Sequence, residues 1–300
     1  MAKTNPHTNG RLEVLKTYKI FIGGKFPRTE SGRFYTPLVN DQPLGNICLS
    51  SRKDLRNAVV AGRAAQAGWW GTTAYNRSQI FYRIAEMLEG RREQFITELQ
   101  TQGLSDAAAK AEVVASIDRW IHYSGWCDKY QQIFSCVNPV ASAHFNFSVL
   151  EPTGVVFLIA NEASPLLGLI SLIAPIIAGG NSVVVLASES KPLSAMTLSE
   201  VIATSDVPGG VVNILTGSRS EIVEHAAKHL DINAIADNSH DPQQFRQIQE
   251  LAIGNVKRVK SYQLDWLSSE SENPYLIQDF CEIKTTWHPI EQISSSGSGY

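Results

Sequence analysis

One continuous stretch, residues 150–192, limits the folds that this chain can adopt. An apolar run at 154–160 is followed by a longer one at 165–178, a Gly-Gly-Asn break at 179–181 and a β-branched run at 182–186. Strands that are buried on both faces carry such uninterrupted apolar runs, and glycine is typical of a helix end. The stretch therefore predicts a strand, a helix and a second strand that pairs in parallel with the first.

A membrane-spanning helix is the alternative interpretation of the same apolar residues. A span needs about 20 consecutive apolar residues, but Asn161, Glu162 and Pro165 interrupt the run and Pro175 would kink it. Pro165 instead suits the first turn of a helix, where its missing N–H is not needed, and Ser164 precedes it as a candidate cap. We therefore expect a buried helix and no membrane partner.

Composition and charge argue against several other classes of partner. The chain has 300 residues, of which 43% are hydrophobic and 18% charged, as in an ordinary globular protein. Its net charge is −3 and it has no basic block, so nothing indicates nucleic acid as a partner. The N-terminus lacks the apolar core of a secretory signal, which predicts a cytoplasmic location. The cysteines lack metal-binding spacing and are expected to be free thiols, with no metal site: Cys48, Cys127, Cys136 and Cys281.

Elements on both sides of the central stretch predict an α/β fold. Before it, we expect a hairpin at 18–26, a strand at 45–50 and helices at 52–66, 76–91, 93–102 and 106–131. After it, we expect helices at 193–205, 220–229 and 242–252 and strands at 211–215 and 232–236. Strands that alternate with helices form a parallel sheet with right-handed crossovers.

Two segments alternate polar and apolar residues with the period of a strand. They are HFNFSVLE at 144–151 and FCEIKTTWH at 280–288. In the first, Phe145, Phe147 and Val149 share one face, opposite polar residues. Such alternation is typical of a half-buried antiparallel strand, so the two segments are separate from the parallel sheet.

Three phrases carry a resemblance to a known family. They are EPTGVV at 151–156, APIIAGGNSVVVL at 174–186 and VPGGVVNILTG at 207–217. With them, the chain resembles the cofactor-binding core of the aldehyde dehydrogenase superfamily, from about residue 18 to 259 and again near the C-terminus. The resemblance implies an α/β fold with a Rossmann-like parallel sheet, flanking helices and a small antiparallel oligomerisation sheet.

The resemblance, together with the polar composition of the two ends, implies a division of the chain into parts. These are a flexible N-terminus at 1–17, an N-terminal helical part of the cofactor-binding domain at 18–138, oligomerisation strands at 139–151 and 277–291, a Rossmann-like core at 152–262 and a flexible tail at 292–300. The two alternating segments fall within the oligomerisation strands.

The residues that perform the chemistry of this family do not match. Family enzymes oxidise an aldehyde through a thiohemiacetal on a cysteine, with an asparagine donor at the oxyanion and a glutamate base. The donor position holds Ala163, with Asn161 two residues early, and the base position holds Tyr262 after the family-like lead at 257–259. Too few residues remain for the catalytic domain that carries the nucleophile. Cys281 is expected to be a small buried hydrophobe, so no catalytic residue is assigned.

The dinucleotide contacts of the family are only half retained. After the second strand, the family has a lysine and a glutamate that hold the ribose; here Leu186 replaces the lysine and Glu189 keeps the glutamate. Gly217 matches the glycine near the pyrophosphate, but Asp241 would repel phosphate at the next helix start. We expect Glu189 and Gly217 to serve the fold and expect no cofactor, with NAD(P) a weakened alternative.

The resemblance is strongest to the shortened second module of tandem aldehyde dehydrogenases, which lacks its catalytic part. We therefore expect a non-catalytic structural or regulatory subunit that assembles with a complete aldehyde dehydrogenase, or with itself, through strands 144–151 and 280–288. Two alternatives stay open. One is an NAD(P)-dependent oxidoreductase acting on the aldehyde or oxo group of donors, and the other is a nucleotide-binding sensor.

Overall fold

A five-stranded parallel sheet lies at the centre of the computed structural model, which describes residues 14–290. The strands are β1 (Thr17–Tyr18), β2 (Phe34–Tyr35), β3 (Leu38–Val39), β4 (Gln42–Pro43), β5 (Asn46–Cys48), β6 (Cys136–Asn138), β7 (His144–Pro152), β8 (Val155–Ile159), β9 (Ser182–Leu186), β10 (Val212–Leu215), β11 (Ala234–Asp237), β12 (Arg258–Ser261) and β13 (Cys281–Pro289). The helices are α1 (Arg52–Gly71), α2 (Ala74–Glu89), α3 (Arg92–Thr101), α4 (Asp106–Ser124), α5 (Tyr130–Phe134), α6 (Leu167–Ala178), α7 (Leu193–Ala203), α8 (Arg219–Lys228), α9 (Pro242–Ala252) and α10 (Tyr275–Gln278). The predicted tail at 292–300 and most of the predicted flexible N-terminus lie outside the described residues.

The predicted strand–helix–strand unit is confirmed as β8, α6 and β9. The sheet order is β10-β9-β8-β11-β12, with every neighbouring pair parallel. All residues of β8, β9 and α6 are buried, because helices cover both faces of the sheet. The chain order reverses at β8, so β8 and β11 flank a topological switch point.

Alternate residues of the central strands supply two cores. Val155 and Phe157 pack with α1, α8 and α9 on one face, and Val156 and Leu158 pack with α2, α4 and α6 on the other. Within residues 14–290, none of the helices combines the length and apolarity needed to cross a bilayer.

Asn181 joins three parts of the fold at the amino ends of the strands. Its Oδ1 accepts a hydrogen bond from the N–H of Gly154 (2.8 Å), and its Nδ2 donates to the carbonyls of Ile176 (3.1 Å) and Phe280 (2.9 Å). Gly180 before it has φ +88°, and a Cβ there would lie 2.4 Å from the ring of Trp70. The Gly-Gly-Asn break is therefore a tight connection that only a glycine fits.

The predicted antiparallel sheet is present, with the strand order β13-β7-β6. Pairing of β7 with β13 runs from Pro152 opposite Cys281 to His144 opposite Pro289. The short strand β6 was not predicted and lies just before the predicted interval 139–151.

Strand β7 buries its polar side chains rather than its aromatic ones. Asn146 is 2% exposed, whereas Phe145 is 45% exposed. Asn138 donates to Asn146 Oδ1 (2.6 Å) and to Ser148 Oγ (3.0 Å), and the hydroxyls of Ser148 and Thr285 are 2.8 Å apart. These hydrogen bonds satisfy most of the polar atoms on the buried face of β7. Phe145 lies on the opposite face, which is the more exposed one.

Two predicted elements need correction. The helix predicted at 106–131 ends at Ser124, and Gly125 separates it from α5, because a turn at 125–129 directs Cys127 and Tyr130 into the core. The hairpin predicted at 18–26 is confirmed only as a two-residue turn, with Ile22 and Lys25 paired and two glycines at positive φ between them.

Residues 262–280 connect β12 directly to β13 and pack against the core. Tyr262 and Trp266 are 6% and 3% exposed. Arg119 of α4, only 1% exposed, donates hydrogen bonds to the carbonyls of Trp266 (2.9 Å) and Ser271 (3.3 Å) and to Ser271 Oγ (3.0 Å). One buried guanidinium therefore holds this connection against α4.

Replacing Arg119 tests this anchor. Arg119→Met is expected to lower the free energy of unfolding by about 3 kcal/mol, because buried carbonyls lose their donor. Urea denaturation measures the change, with Arg246→Met on the exposed face of α9 as the control. Equal losses in the two variants would contradict the anchoring role.

Candidate functional site

The carboxyl ends of the parallel strands form a crevice, the usual ligand position in an open α/β sheet. Polar residues follow four of the five strands at this edge. They are Asn161 and Glu162 after β8, Ser188 and Glu189 after β9, Arg219 after β10, and His240 and Asp241 after β11. Sequence analysis singled out Asn161, Glu189 and Asp241 but missed Glu162 and Arg219, although their positions after strands were a usable signal.

Glu162 fills the turn that follows β9. Its carboxylate accepts hydrogen bonds from the hydroxyls of Ser188 and Ser190, both at 2.5 Å. It also accepts from the N–H groups of Glu189 (3.0 Å) and Ser190 (3.2 Å). The N–H and O–H donors of this turn are therefore occupied by a carboxylate of the same chain.

Arg219 crosses the crevice from the start of α8 to the end of β8. Its guanidinium donates to the carbonyl of Ala160 (2.7 Å) and to Glu162 Oε1 (2.8 Å). Burial would raise the pKa of Glu162, but hydrogen bonds from Ser188 and Ser190 and the charge of Arg219 together lower it. The pair is an ionised internal contact across the middle of the crevice.

Asp241 caps the amino end of α9. Its Oδ1 accepts from the N–H groups of Gln243 (2.9 Å) and Gln244 (3.1 Å). These N–H groups are the donors that would receive a phosphate at a helix start. Here, a negative side chain already holds them.

Glu189 and Gly217, the predicted cofactor contacts, both have local roles. Glu189 Oε2 accepts from the backbone N–H of Arg219 (3.3 Å). Gly217 has φ +146°, and a Cβ there would lie 3.0 Å from the backbone nitrogen of Ser50. The geometry of this chain explains both residues, whether or not a cofactor binds.

Asn161 lies beside a cavity of about 280 Å³ next to the crevice. Its Oδ1 accepts from the N–H groups of Ala163 (2.5 Å) and Ser164 (3.0 Å), which fixes the orientation of the amide. Nδ2 therefore donates to His240 Nε2 at 3.0 Å, and the proton of the neutral His240 lies on Nδ1. The amide donor of Asn161 is thus engaged, and it does not replace the donor missing at Ala163.

Glu112 is a buried carboxyl on the same cavity that sequence analysis missed. Its Oε1 accepts from the N–H groups of Leu166 (2.9 Å) and Leu167 (3.0 Å) and from Ser164 Oγ (3.2 Å), at the start of α6. Burial raises its pKa, although these hydrogen bonds oppose the shift. The sequence could have indicated Glu112, because it is the lone acid in the apolar stripe of α4, next to Val113.

Cys281, considered as a replacement nucleophile, and Tyr262, which holds the base position, both have hydrogen-bond partners within the chain. Burial raises the pKa of the Cys281 thiol to about 12, and Sγ donates to the carbonyl of Ile277 (3.2 Å) near Gly179, at the opposite end of the sheet. The Tyr262 hydroxyl donates to Asp279 Oδ2 (2.9 Å). Residues 14–290 also contain no His, Cys, Asp and Glu cluster suited to a metal ion.

Comparison with known sequences gives a match along most of the chain. The model of the aldehyde dehydrogenase family matches residues 19–286. Cytosolic 10-formyltetrahydrofolate dehydrogenase of Mus musculus is 28% identical over 280 residues, which cover 91% of this chain and 30% of that protein. The putative aldehyde dehydrogenase DhaS of Bacillus subtilis is 30% identical over 268 residues, which cover 86% of this chain and 53% of that protein. The chain therefore spans about a third to a half of these relatives.

Solved structures show the same fold. The NAD+ complex of an aldehyde dehydrogenase from Bacillus cereus superposes with a TM-score of 0.78 at 24% identity, over 82% of this chain and 50% of that one. A putative aldehyde dehydrogenase from Burkholderia cenocepacia superposes with a TM-score of 0.78 at 27% identity, over 83% of this chain and 50% of that one. The Rossmann-like architecture expected from the sequence is thereby confirmed.

The lowered pKa of Glu162 predicts a pH-dependent contribution to stability. An ordinary glutamate titrates near 4.5, and in the folded chain Glu162 titrates lower. Its stabilisation is therefore complete above about pH 4.5 and is lost as the pH falls through the folded pKa. Glu162→Gln should lower the free energy of unfolding near neutral pH and should lower it less near pH 3.

Urea denaturation of wild type and variant at both pH values measures this difference. Glu250→Gln, on the exposed side of α9, is the matched control. A cost of Glu162→Gln that stays the same at both pH values would contradict the ionised contact.

Proposed function

Because this chain belongs to the aldehyde dehydrogenase family, we propose that it is a non-catalytic structural or regulatory subunit of a complete aldehyde dehydrogenase. The observation that carries the proposal is the packed connection 262–280. In the family, the catalytic domain is expected between the base segment and the last oligomerisation strand. Here, that interval is a short internal segment that runs from β12 to β13.

The packing of this connection supports the proposal. Trp266 is buried and Arg119 binds its carbonyl, so the segment is an integral part of the core. Ala163 and Tyr262 at the donor and base positions, and the protonated, buried Cys281, agree with a chain that performs no thiohemiacetal chemistry.

We extend the proposal to the cofactor and infer that the chain does not bind NAD(P). Glu162 occupies the turn after β9, Arg219 crosses the crevice, and Asp241 occupies the start of α9. A dinucleotide would have to displace the Glu162–Arg219 pair and the Asp241 carboxylate, all of which already have hydrogen-bond partners within the chain. Its negative phosphates would also approach Asp241.

The antiparallel sheet is the proposed assembly surface, in the region of the strands 144–151 and 280–288. It exposes large apolar side chains on both of its faces: Val137 (64%) and Phe145 (45%) on one, and Ile283 (67%) and Trp287 (57%) on the other, with Ile290 (53%) just beyond the end of β13. Exposed apolar side chains grouped in this way usually mark a protein interface. Among residues 14–290, strand β13 is also a sheet edge, whose unpaired backbone groups can pair with a further strand.

Charge on this surface is balanced within the chain. Lys284 bonds to Glu151 (2.9 Å) and Arg258 to Glu282 (3.0 Å), so the apolar residues dominate. We propose a complete aldehyde dehydrogenase as the occupant, because its own sheet would have matching strand geometry. A cytoplasmic location for the assembly stays a prediction.

Native mass spectrometry of the tagged chain from its own cells tests the assembly. We expect a mixed complex that contains a complete aldehyde dehydrogenase. Ile283→Lys with Trp287→Lys should abolish the complex, because each change places a charge in an apolar interface. Tyr75→Lys, at an exposed position of α2, is the control. A lone monomer in the presence of all native partners would contradict the proposal, and a homo-oligomer would replace the partner by a second copy.

An activity and binding assay tests the non-catalytic assignment separately. The purified chain should form no NADH or NADPH from aldehydes, and calorimetry should detect no binding of either dinucleotide at about millimolar concentration. Aldehyde-dependent NADH formation that Cys281→Ala abolishes would instead support the oxidoreductase. Binding without turnover would support the nucleotide sensor.

A further inference from the structure

A second cavity, of about 770 Å³, lies between α1 and α8 and is separate from the crevice residues described above. Six of its lining residues are basic: Arg52, Lys53, Arg56, His225, Lys228 and His229. We call it the cationic cleft. Its volume lies in the range of small-molecule sites, well above that of a single ion.

The two arginines supply the unbalanced charge of the cationic cleft. Each lysine is neutralised by a carboxylate, with Glu30 at 2.9 Å from Lys53 and Glu224 at 2.6 Å from Lys228. Within residues 14–290, by contrast, neither Arg52 nor Arg56 forms an ion pair, and both are exposed. Their guanidinium donors are therefore available to an anion.

A buried lysine lies behind the wall of the cationic cleft. Lys257 is 8% exposed and donates to the carbonyl oxygens of His229 (2.7 Å) and Ala226 (3.4 Å). No carboxylate among the described residues pairs with it, and burial lowers its pKa to about 8. Buried charges in proteins are usually paired. Lys257 therefore lacks the negative partner that such a group usually has.

These cations converge on one imidazole. Burial lowers the pKa of His229; Asp231 opposes the shift, and the charges of Lys257, Arg56 and Arg52 lower it further. Nδ1 of His229 accepts from the N–H of Asp231 (3.2 Å), which leaves Nε2 for a ligand. Arg52 and Arg56 of α1 and Lys257 beneath α8 thus all contribute positive charge near the imidazole of His229.

We propose that the cationic cleft binds a small organic phosphate. Guanidinium groups match phosphate oxygens in paired hydrogen bonds, and a phosphate supplies the negative charge that Arg52 and Arg56 lack. The remaining volume, floored by the buried Leu55, accommodates the organic part. This site is independent of the proposed assembly and of the dinucleotide crevice.

Calorimetry with glucose 6-phosphate tests the cationic cleft, with glucose and inorganic phosphate as companion probes. Wild type should bind glucose 6-phosphate more tightly than inorganic phosphate and should not bind glucose. Arg52→Ser with Arg56→Ser should weaken binding at least about tenfold, because two charge-assisted donors are lost. Both side chains are exposed, so the variant is expected to keep the wild-type melting temperature.

A double variant with the same loss of charge elsewhere is the matched control. Lys25→Ser with Arg246→Ser removes two exposed cations outside the cationic cleft and should leave the affinity unchanged. The proposal is overturned if glucose 6-phosphate shows no binding at about 10 mM. It is also overturned if both double variants weaken binding equally, or if inorganic phosphate binds as tightly as the sugar phosphate.

Discussion

The buried guanidinium of Arg119 is the contact on which the arrangement of this chain depends. It links α4, which packs on α2 and α6, to the carbonyls of the connection 262–280. A buried charge with several carbonyl acceptors is costly to form and costly to break, so it specifies one position for the connection. That position determines where β13 begins. The antiparallel sheet and the parallel sheet are therefore coupled through a side chain that belongs to neither.

Internal carboxylates define the ligand side of the fold. Glu162, Asp241 and Glu112 each bind backbone N–H groups at a turn or helix start, and these are the donors that anions use in other α/β proteins. An intramolecular carboxylate is held at high effective concentration, so a free ligand competes against it poorly. The cationic cleft differs because its arginines have no such internal partner in the described residues. Competition from internal carboxylates therefore argues against anion binding in the crevice, and its absence among the described residues argues for anion binding in the cationic cleft.

The predictable part of this fold is the part that local sequence patterns specify. Uninterrupted apolar runs marked β8, α6 and β9, and the resemblance located the positions of Ala163 and Tyr262. The inward face of β7 was not predictable, since period two does not say which face is buried, and here Asn146 finds its partner on β6. Contacts such as that of Glu162 with Arg219 join residues far apart in the chain. They depend on the assembled sheet and not on any local pattern.

The exposed apolar side chains of β13 set a requirement for any partner. Burying Ile283 and Trp287 would contribute about 1.5–3 kcal/mol each, before the cost of association is subtracted. A stable interface usually needs about 800 Å² from each chain, more than these two side chains supply. Strand pairing along the edge of β13 would add backbone hydrogen bonds and bring neighbouring side chains into contact. We therefore infer that assembly extends the sheet through β13 as well as covering the face that carries Ile283 and Trp287, which favours a partner with a sheet edge of its own.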